Sequence, residues 1–321
     1  MVLLVVAALV LWTAVQLVGR VDWHAVGSAL GELAWWQFTV LVVVLVARQV
    51  FNGLPLAFYI EGLSVLRATL NDLASVLMAL VAPPPSDLAI RLAMFSSWGI
   101  PVSRGAGGAV MNTVTFYVAR FSAPLIGLLL LAIGWHDIGP VWYAAVSTLI
   151  AAAILVVLVL VLRGQSFAAR AGATAARIVG RFRKGTDPEA WSDACLRFRA
   201  EMSSTFRRGF PRSILAMLAL LLTDGTMLLL CLRFVGVGPG DLPAVVVYGA
   251  FLYAYPLTIF PIAGIGVVDA ALLAAFVEVG GLDIEAGVVA ALLVWRVLTV
   301  LGPAAMGAGV VGWWRTTARQ P

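Results

Sequence analysis

Cysteine, histidine and lysine are all but missing from this chain, and each shortage closes off a class of chemistry. Two of the 321 residues are cysteines and two are histidines. Cys195 falls in an arginine-rich stretch and Cys231 in an apolar run, so no disulfide is expected. His24 and His136 lie in separate short loops, which leaves no metal cluster in view and no cofactor to expect. Lys184 is the single lysine beside 20 arginines. Charge of either sign is scarce as well, 12% of residues against 62% hydrophobic ones. The mean hydropathy of +1.02 excludes an ordinary soluble domain. No glycine-rich phosphate loop occurs, so a nucleotide is not expected to drive the protein.

What the chain has in quantity is apolar runs of membrane length. Residues 2–18, 36–59, 109–133, 141–162, 214–235 and 286–311 read as about six transmembrane helices, each close to the 20 or so residues that a bilayer core requires. The first run lacks a positive leader and a small-residue cleavage site, so a retained helix is expected rather than a signal peptide. Eleven of the 21 basic residues fall between Arg163 and Arg212, against only Asp187, Glu189, Asp193 and Glu201. Positive loops stay inside, so residues 163–212 are expected in the cytoplasm, with both chain ends on that side of the cell inner membrane. The chain then divides into a membrane half (1–162), a basic amphipathic cytoplasmic segment (163–212) and a second membrane half (213–321). In the basic segment Asp187 is a natural N-cap and Pro188 a natural first residue. Trp191, Cys195, Phe198, Met202 and Phe206 share one stripe, as in an interfacial helix. Arginines interleaved with apolar runs suit anionic lipid headgroups and leave nucleic acid out as a partner.

Two stretches are apolar but broken. In 244–281, Pro256 and Pro261 interrupt any helix, and Gly264 and Gly266 open a bend before a further apolar run. Neither half is long enough to cross alone, so the economical reading is a re-entrant pair of half-helices. Asp269, one turn into the second half, is either a helix-start cap or a functional acid at depth. In 71–98 the break is Pro83-Pro84-Pro85, with Ser86 as N-cap and Asp87 and Arg91 at i, i+4, spaced to pair with one another. Irregular backbone at that depth needs protein or a wet cavity around it. Each broken stretch is followed by a span with an arginine and then a proline: Arg120 and Pro124, then Arg296 and Pro303. The two units insert with opposite orientation. The expected fold class is therefore an all-α polytopic membrane protein with two re-entrant hairpins in an inverted repeat, the pattern of alternating-access carriers.

The charges inside these apolar stretches indicate the cargo. Arg48 and Asn52 lie at i, i+4 in the second span, where Arg48 either snorkels to an interface or faces a cavity. Arg48, Arg91, Arg120 and Arg296 outnumber Asp87, Asp224 and Asp269 by one. Surplus positive charge beside helix N-termini suits a phosphate, which arginine grips with two bonds.

At these residues the chain resembles the flippase-like, lysylphosphatidylglycerol synthase transmembrane family over nearly its whole length. APPPSDLAIR (82–91) is similar to the family's Pro-then-Gly-Asp-x-x-Arg element, and Arg120 in FYVAR to the arginine of the next helix. FPIAGIGVVDAAL (260–272) resembles its Pro-Gly-Gly-x-Gly-x-x-Glu element, and Arg296, Pro303 and Gly307 match its closing helix. The chain departs from that pattern at Ser86 and Ala263, where glycine is usual, and at Asp269, where glutamate is usual. The resemblance implies movement of a polar lipid headgroup across the bilayer; the aminoacyl-transferring domain of the full synthases is not expected here, so lipid synthesis is not implied. The expected function is a flippase or scramblase for an anionic phospholipid or polyprenyl-phosphate-linked sugar, and not an enzyme. Its substrate-binding residues would be Arg91, Arg120, Arg296, Asp87, Asp269, Arg48, Asn52, Gly264 and Gly266, with no catalytic and no metal-binding residue. Membrane lipids are the expected partners, with a second copy of the chain or a lipid-biosynthesis protein beside them. The alternatives are a carrier of a small anionic solute and, ranked lowest, a polyprenyl-phosphate-dependent enzyme.

Overall fold

The computed structural model describes residues 28, 31, 34–83, 85–134, 141–180 and 187–317. The expected first span (2–18), both histidines and Lys184 lie outside them. The described chain is helical, with no strand among the described residues. In order come α1 (Trp35–Tyr59), α2 (Val65–Val81), α3 (Ser86–Ser97), α4 (Val102–Gly134), α5 (Val141–Arg163), α6 (Gln165–Gly180), α7 (Pro188–Phe234), α8 (Ala244–Ala254), α9 (Pro261–Gly264), α10 (Val267–Gly280), α11 (Glu285–Arg296) and α12 (Gly302–Thr317). Among the described residues five helical stretches are long and apolar enough to cross a membrane: Trp35–Tyr59, Val102–Gly134, Val141–Leu162, Thr205–Phe234 and Leu282–Thr317. They coincide with five of the six spans expected. Their outward residues are apolar, as lipid requires: Leu129 is 58% exposed, Leu149 68%, Leu222 55% and Leu301 56%. This is a multi-pass, all-α membrane protein.

The helix ends follow their local chemistry. Ser64 accepts a hydrogen bond from the Arg67 amide and caps α2. Ser86 does not cap α3 as expected: it is the first helical residue, and its hydroxyl donates back to the Pro83 carbonyl. Behind α3, Gly99 takes φ +75°, which lets the Gly99 and Ile100 amides close on the carbonyls of Ser96 and Phe95. Asp187 accepts from the Glu189 amide at 2.9 Å and α7 starts at Pro188, as the sequence indicates. The amphipathic helix and the span expected from residue 214 form one continuous helix. α7 runs for 47 residues through Pro211, about 70 Å at 1.5 Å per residue.

The described residues form two compact units. The first takes its residues from Met1–Gln49, Arg120–Thr148 and Ala219–Met306. Its core is apolar and aromatic, with Phe251, Leu272, Phe276 and Trp295 buried. Small residues permit the close packing: a Cβ on Gly127 would lie 2.5 Å from the Tyr253 amide nitrogen, and one on Gly249 2.8 Å from Leu131. The second unit takes its residues from Val50–Ala119, Leu149–Leu218 and Gly307–Pro321. One of its clusters joins Leu56, Ile60, Ala68 and Phe95; another joins Tyr59, Met111, Leu158 and Leu162, with Phe198 and Phe206 of α7 against it. The stripe expected to lie on a membrane interface thus turns Phe198 and Phe206 toward the protein's own spans.

Candidate functional site

In the first unit the chain after α8 cannot stay helical. Pro256 falls in a five-residue 3-10 turn (Tyr255–Ile259), and Pro261 opens the four-residue α9. Gly264 and Gly266 then take φ +70° and +85°, conformations that suit glycine, and α10 begins at Val267. Ala263 adopts φ +54° in the same bend, the one non-glycine with positive φ among the described residues. The usual glycine of the resembled pattern would hold that backbone without strain.

Asp269 takes the helix-start role considered for it and pairs with an arginine as well. Its Oδ2 accepts from the Gly266 amide at 2.7 Å, closing the start of α10, and its Oδ1 accepts from Arg296 Nε at 2.6 Å. Arg296 also donates to the carbonyls of Ala263 (3.1 Å) and Gly264 (3.4 Å), so it ties the bend to the end of α11. Directly after Arg296 the helix widens into a π-type segment, Val297–Leu301, before Pro303. Such widened turns expose backbone and occur disproportionately at functional positions.

A second ionic pair lies in the same unit. Arg48 of α1 donates to Asp224 of α7 at 3.1 Å and to Gln49 at 2.7 Å. Asp224, 3% exposed, also accepts from the Trp295 indole at 3.0 Å. The ring of Trp295 carries the Arg296 guanidinium 4.5 Å from its centroid. Trp295 therefore touches both pairs: its N–H holds the acid of one and its face the base of the other. Arg120 is buried in this unit at 9% exposure. Arg48 does not snorkel to an interface; it is committed to a buried aspartate.

The second unit gathers its polar groups on the α2–α3 hairpin. Arg91 does not pair with Asp87. Its guanidinium donates to Asp72 at 2.6 Å and to Asn71 at 3.2 Å, while the Asn71 amide donates to the Arg91 carbonyl at 3.1 Å. Asn52 of α1 donates to the other oxygen of Asp72. A Cβ on Gly53 would stand 2.8 Å from Thr69 Cα, so the glycine allows α1 close enough to α2 for that bond. Asn71 and Asp72 are buried, at 0% and 3%. Asp87 is half-buried near the start of α3 and takes no part in the cluster. A buried carboxylate close by is a better partner than a half-wet one on the same helix, because Arg91 would otherwise be desolvated with nothing to neutralise it.

Sequence reasoning passed over Asn71 and Asp72, and counted Asp224 as a charge without giving it a role. The available signal was cost: an aspartate in an apolar run needs a cation. Counting Asp72 also removes the expected surplus, since Arg48, Arg91, Arg120 and Arg296 face Asp72, Asp87, Asp224 and Asp269 in equal number. Among the described residues no group of three or more His, Cys, Asp or Glu side chains is placed to hold a metal.

Residues 1–307 match the family model described as the lysylphosphatidylglycerol synthase TM region. No curated protein matches the chain, and no solved structure matches it either.

Proposed function

The chain belongs to the lysylphosphatidylglycerol synthase transmembrane family, and from that membership we propose that it moves an anionic lipid, a phospholipid or a polyprenyl-phosphate-linked sugar, from one leaflet to the other. The observation that carries the reading is the Asp269–Arg296 pair at the helix break. Arg296 binds its carboxylate through Nε and reaches two backbone carbonyls through its terminal nitrogens, one of them at a weak 3.4 Å. Those terminal nitrogens are the fork that fits a phosphate. Because the arginines are matched by aspartates, a headgroup would share an arginine with its acid and exchange a carbonyl contact for a phosphate contact. Such an exchange costs little and reverses easily, which favours passage over storage.

The order of elements supports an inverted repeat. A long helix, two short ones and a long helix (α1 to α4) are followed later by the same order, from α7 through α8 and α10 to α11–α12. α3, α8 and α10 have 12, 11 and 14 residues, too few to cross a bilayer. We read both pairs as re-entrant hairpins, with Arg91, Arg120 and Arg296 serving the headgroup and Asp87 at the mouth of the first hairpin. Residues 163–212 and the C-terminus would face the cytoplasm. The protein would act as a transporter without a catalytic residue of its own.

The test is reconstitution of the purified chain into phosphatidylcholine liposomes carrying headgroup-labelled phosphatidylglycerol in one arm and labelled polyprenyl phosphate in the other. Protein-dependent exposure of inner-leaflet label to an impermeant quencher is the expected result. Uptake of free phosphate without lipid movement would overturn the lipid reading in favour of a solute carrier.

A further inference from the structure

Within the second unit an apolar groove of about 680 Å³ opens between α4, α5 and α7, lined by Val110, Val114, Ile154, Leu158, Trp191 and Phe198 among others. Past Val110 and Phe198 a smaller recess of about 280 Å³ continues it to Ser103, Gly107 and Arg197. The walls contributed by α4 and α5 belong to membrane spans, where water is absent and the available filler is a lipid tail. The far end is an exposed arginine in the most basic part of the chain. α6 packs closely on the first turn of α7: a Cβ on Gly172 would stand 2.5 Å from the Trp191 carbonyl oxygen. Its volume is in the range of built ligand pockets.

We propose that this groove holds a resident anionic phospholipid, one acyl tail along Val114 and Leu158 and its phosphate at Arg197. The combination selects the occupant. A tail alone would need no cation, and a soluble anion would not need a wall of valine, leucine and tryptophan. Burial pushes the Cys195 thiol up from its ordinary value, as expected for a wall of low polarity. Such a lipid would brace α7 against the spans and tie the protein to membranes that contain anionic lipid. The inference stands apart from transport, because it concerns a lipid that stays.

The experiment uses full-length protein in phosphatidylcholine nanodiscs doped with phosphatidylglycerol bearing a photoreactive diazirine at the end of one tail, with crosslinks mapped by peptide mass spectrometry. Crosslinks are expected to concentrate on the peptides holding Val114, Leu158 and Cys195, above the outward residues Leu129 and Leu149. Unlabelled phosphatidylglycerol should compete about fivefold better than phosphatidylcholine, the worth of one arginine at an anionic headgroup. Arg197→Gln should erase that preference while crosslinking persists. Ala194→Trp, which fills the groove, should abolish crosslinking with the elution profile unchanged; if that variant does not fold, the Arg197→Gln arm decides alone. Crosslinks spread evenly over the outward faces, a preference unchanged in Arg197→Gln, or palmitate competing as well as phosphatidylglycerol would each overturn the proposal. A failed transport assay would leave this result untouched.

Discussion

Arg296 and Asp269 hold each other side-on: Nε of the arginine lies 2.6 Å from Oδ1 of the aspartate, while the terminal nitrogens reach the carbonyls of Ala263 and Gly264. The pair couples the break before α10 to the end of α11, and the aspartate caps the same helix it charges. Asp269→Asn should keep the cap, since an amide oxygen still accepts from Gly266, and remove the negative charge that pairs with Arg296. A charge-assisted bond contributes about 1.5–3 kcal/mol. Lipid movement is therefore expected to fall by about tenfold to a hundredfold, read in the liposome assay. Asp269→Glu, the acid usual in the family, should stay closer to the parent.

The Asp72–Arg91 pair makes a different prediction, on stability. Asp72→Ala leaves a largely buried guanidinium with Asn71 as its remaining side-chain partner, at an expected cost of about 3–5 kcal/mol. Asp72→Ala with Arg91→Leu should recover much of it, because the uncompensated charge is then gone. Thermal midpoints of the purified variants in detergent check both. Asp87→Asn should leave the midpoint nearly unchanged.

Backbone strain at the bend gives a third pair of outcomes. Ala263→Gly removes a left-handed penalty of about 1–2 kcal/mol and should raise the midpoint. Gly264→Ala adds the same kind of penalty and places a Cβ 2.5 Å from the Leu257 carbonyl, so it should lower both the midpoint and transport.

Cys195 offers a pH readout outside the spans. Burial favours its neutral thiol, so the reactive thiolate forms at higher pH than in a free cysteine. Alkylation of Cys195 should be slow near neutrality and rise with pH later than for a peptide thiol, while Cys231, fully buried, stays unmodified in the folded protein. A rate equal to that of the free thiol would contradict this burial.

The spans were legible because apolar runs of 20 or more residues have one economical fate, and the helix breaks because proline and glycine act locally. Arg91's partner was not. The i, i+4 rule sees one helix, and the Asp72 that binds Arg91 is 19 residues away across a hairpin. The bond between Asp224 and Trp295 joins residues 71 apart, beyond any pattern of spacing. The length of α7 was hidden for another reason: an amphipathic helix and a membrane span share one period, so nothing at Pro211 marks where the first ends and the second begins. Arg48 was readable as an arginine in a span, but its commitment to Asp224 was not.

The most direct measurement is quencher-accessible movement of headgroup-labelled phosphatidylglycerol in liposomes containing the parent chain or Arg296→Gln, with folding of both verified by elution profile and thermal midpoint. The account expects rapid movement with the parent and movement near the protein-free baseline with the variant. A folded Arg296→Gln protein that moves lipid as fast as the parent would contradict it.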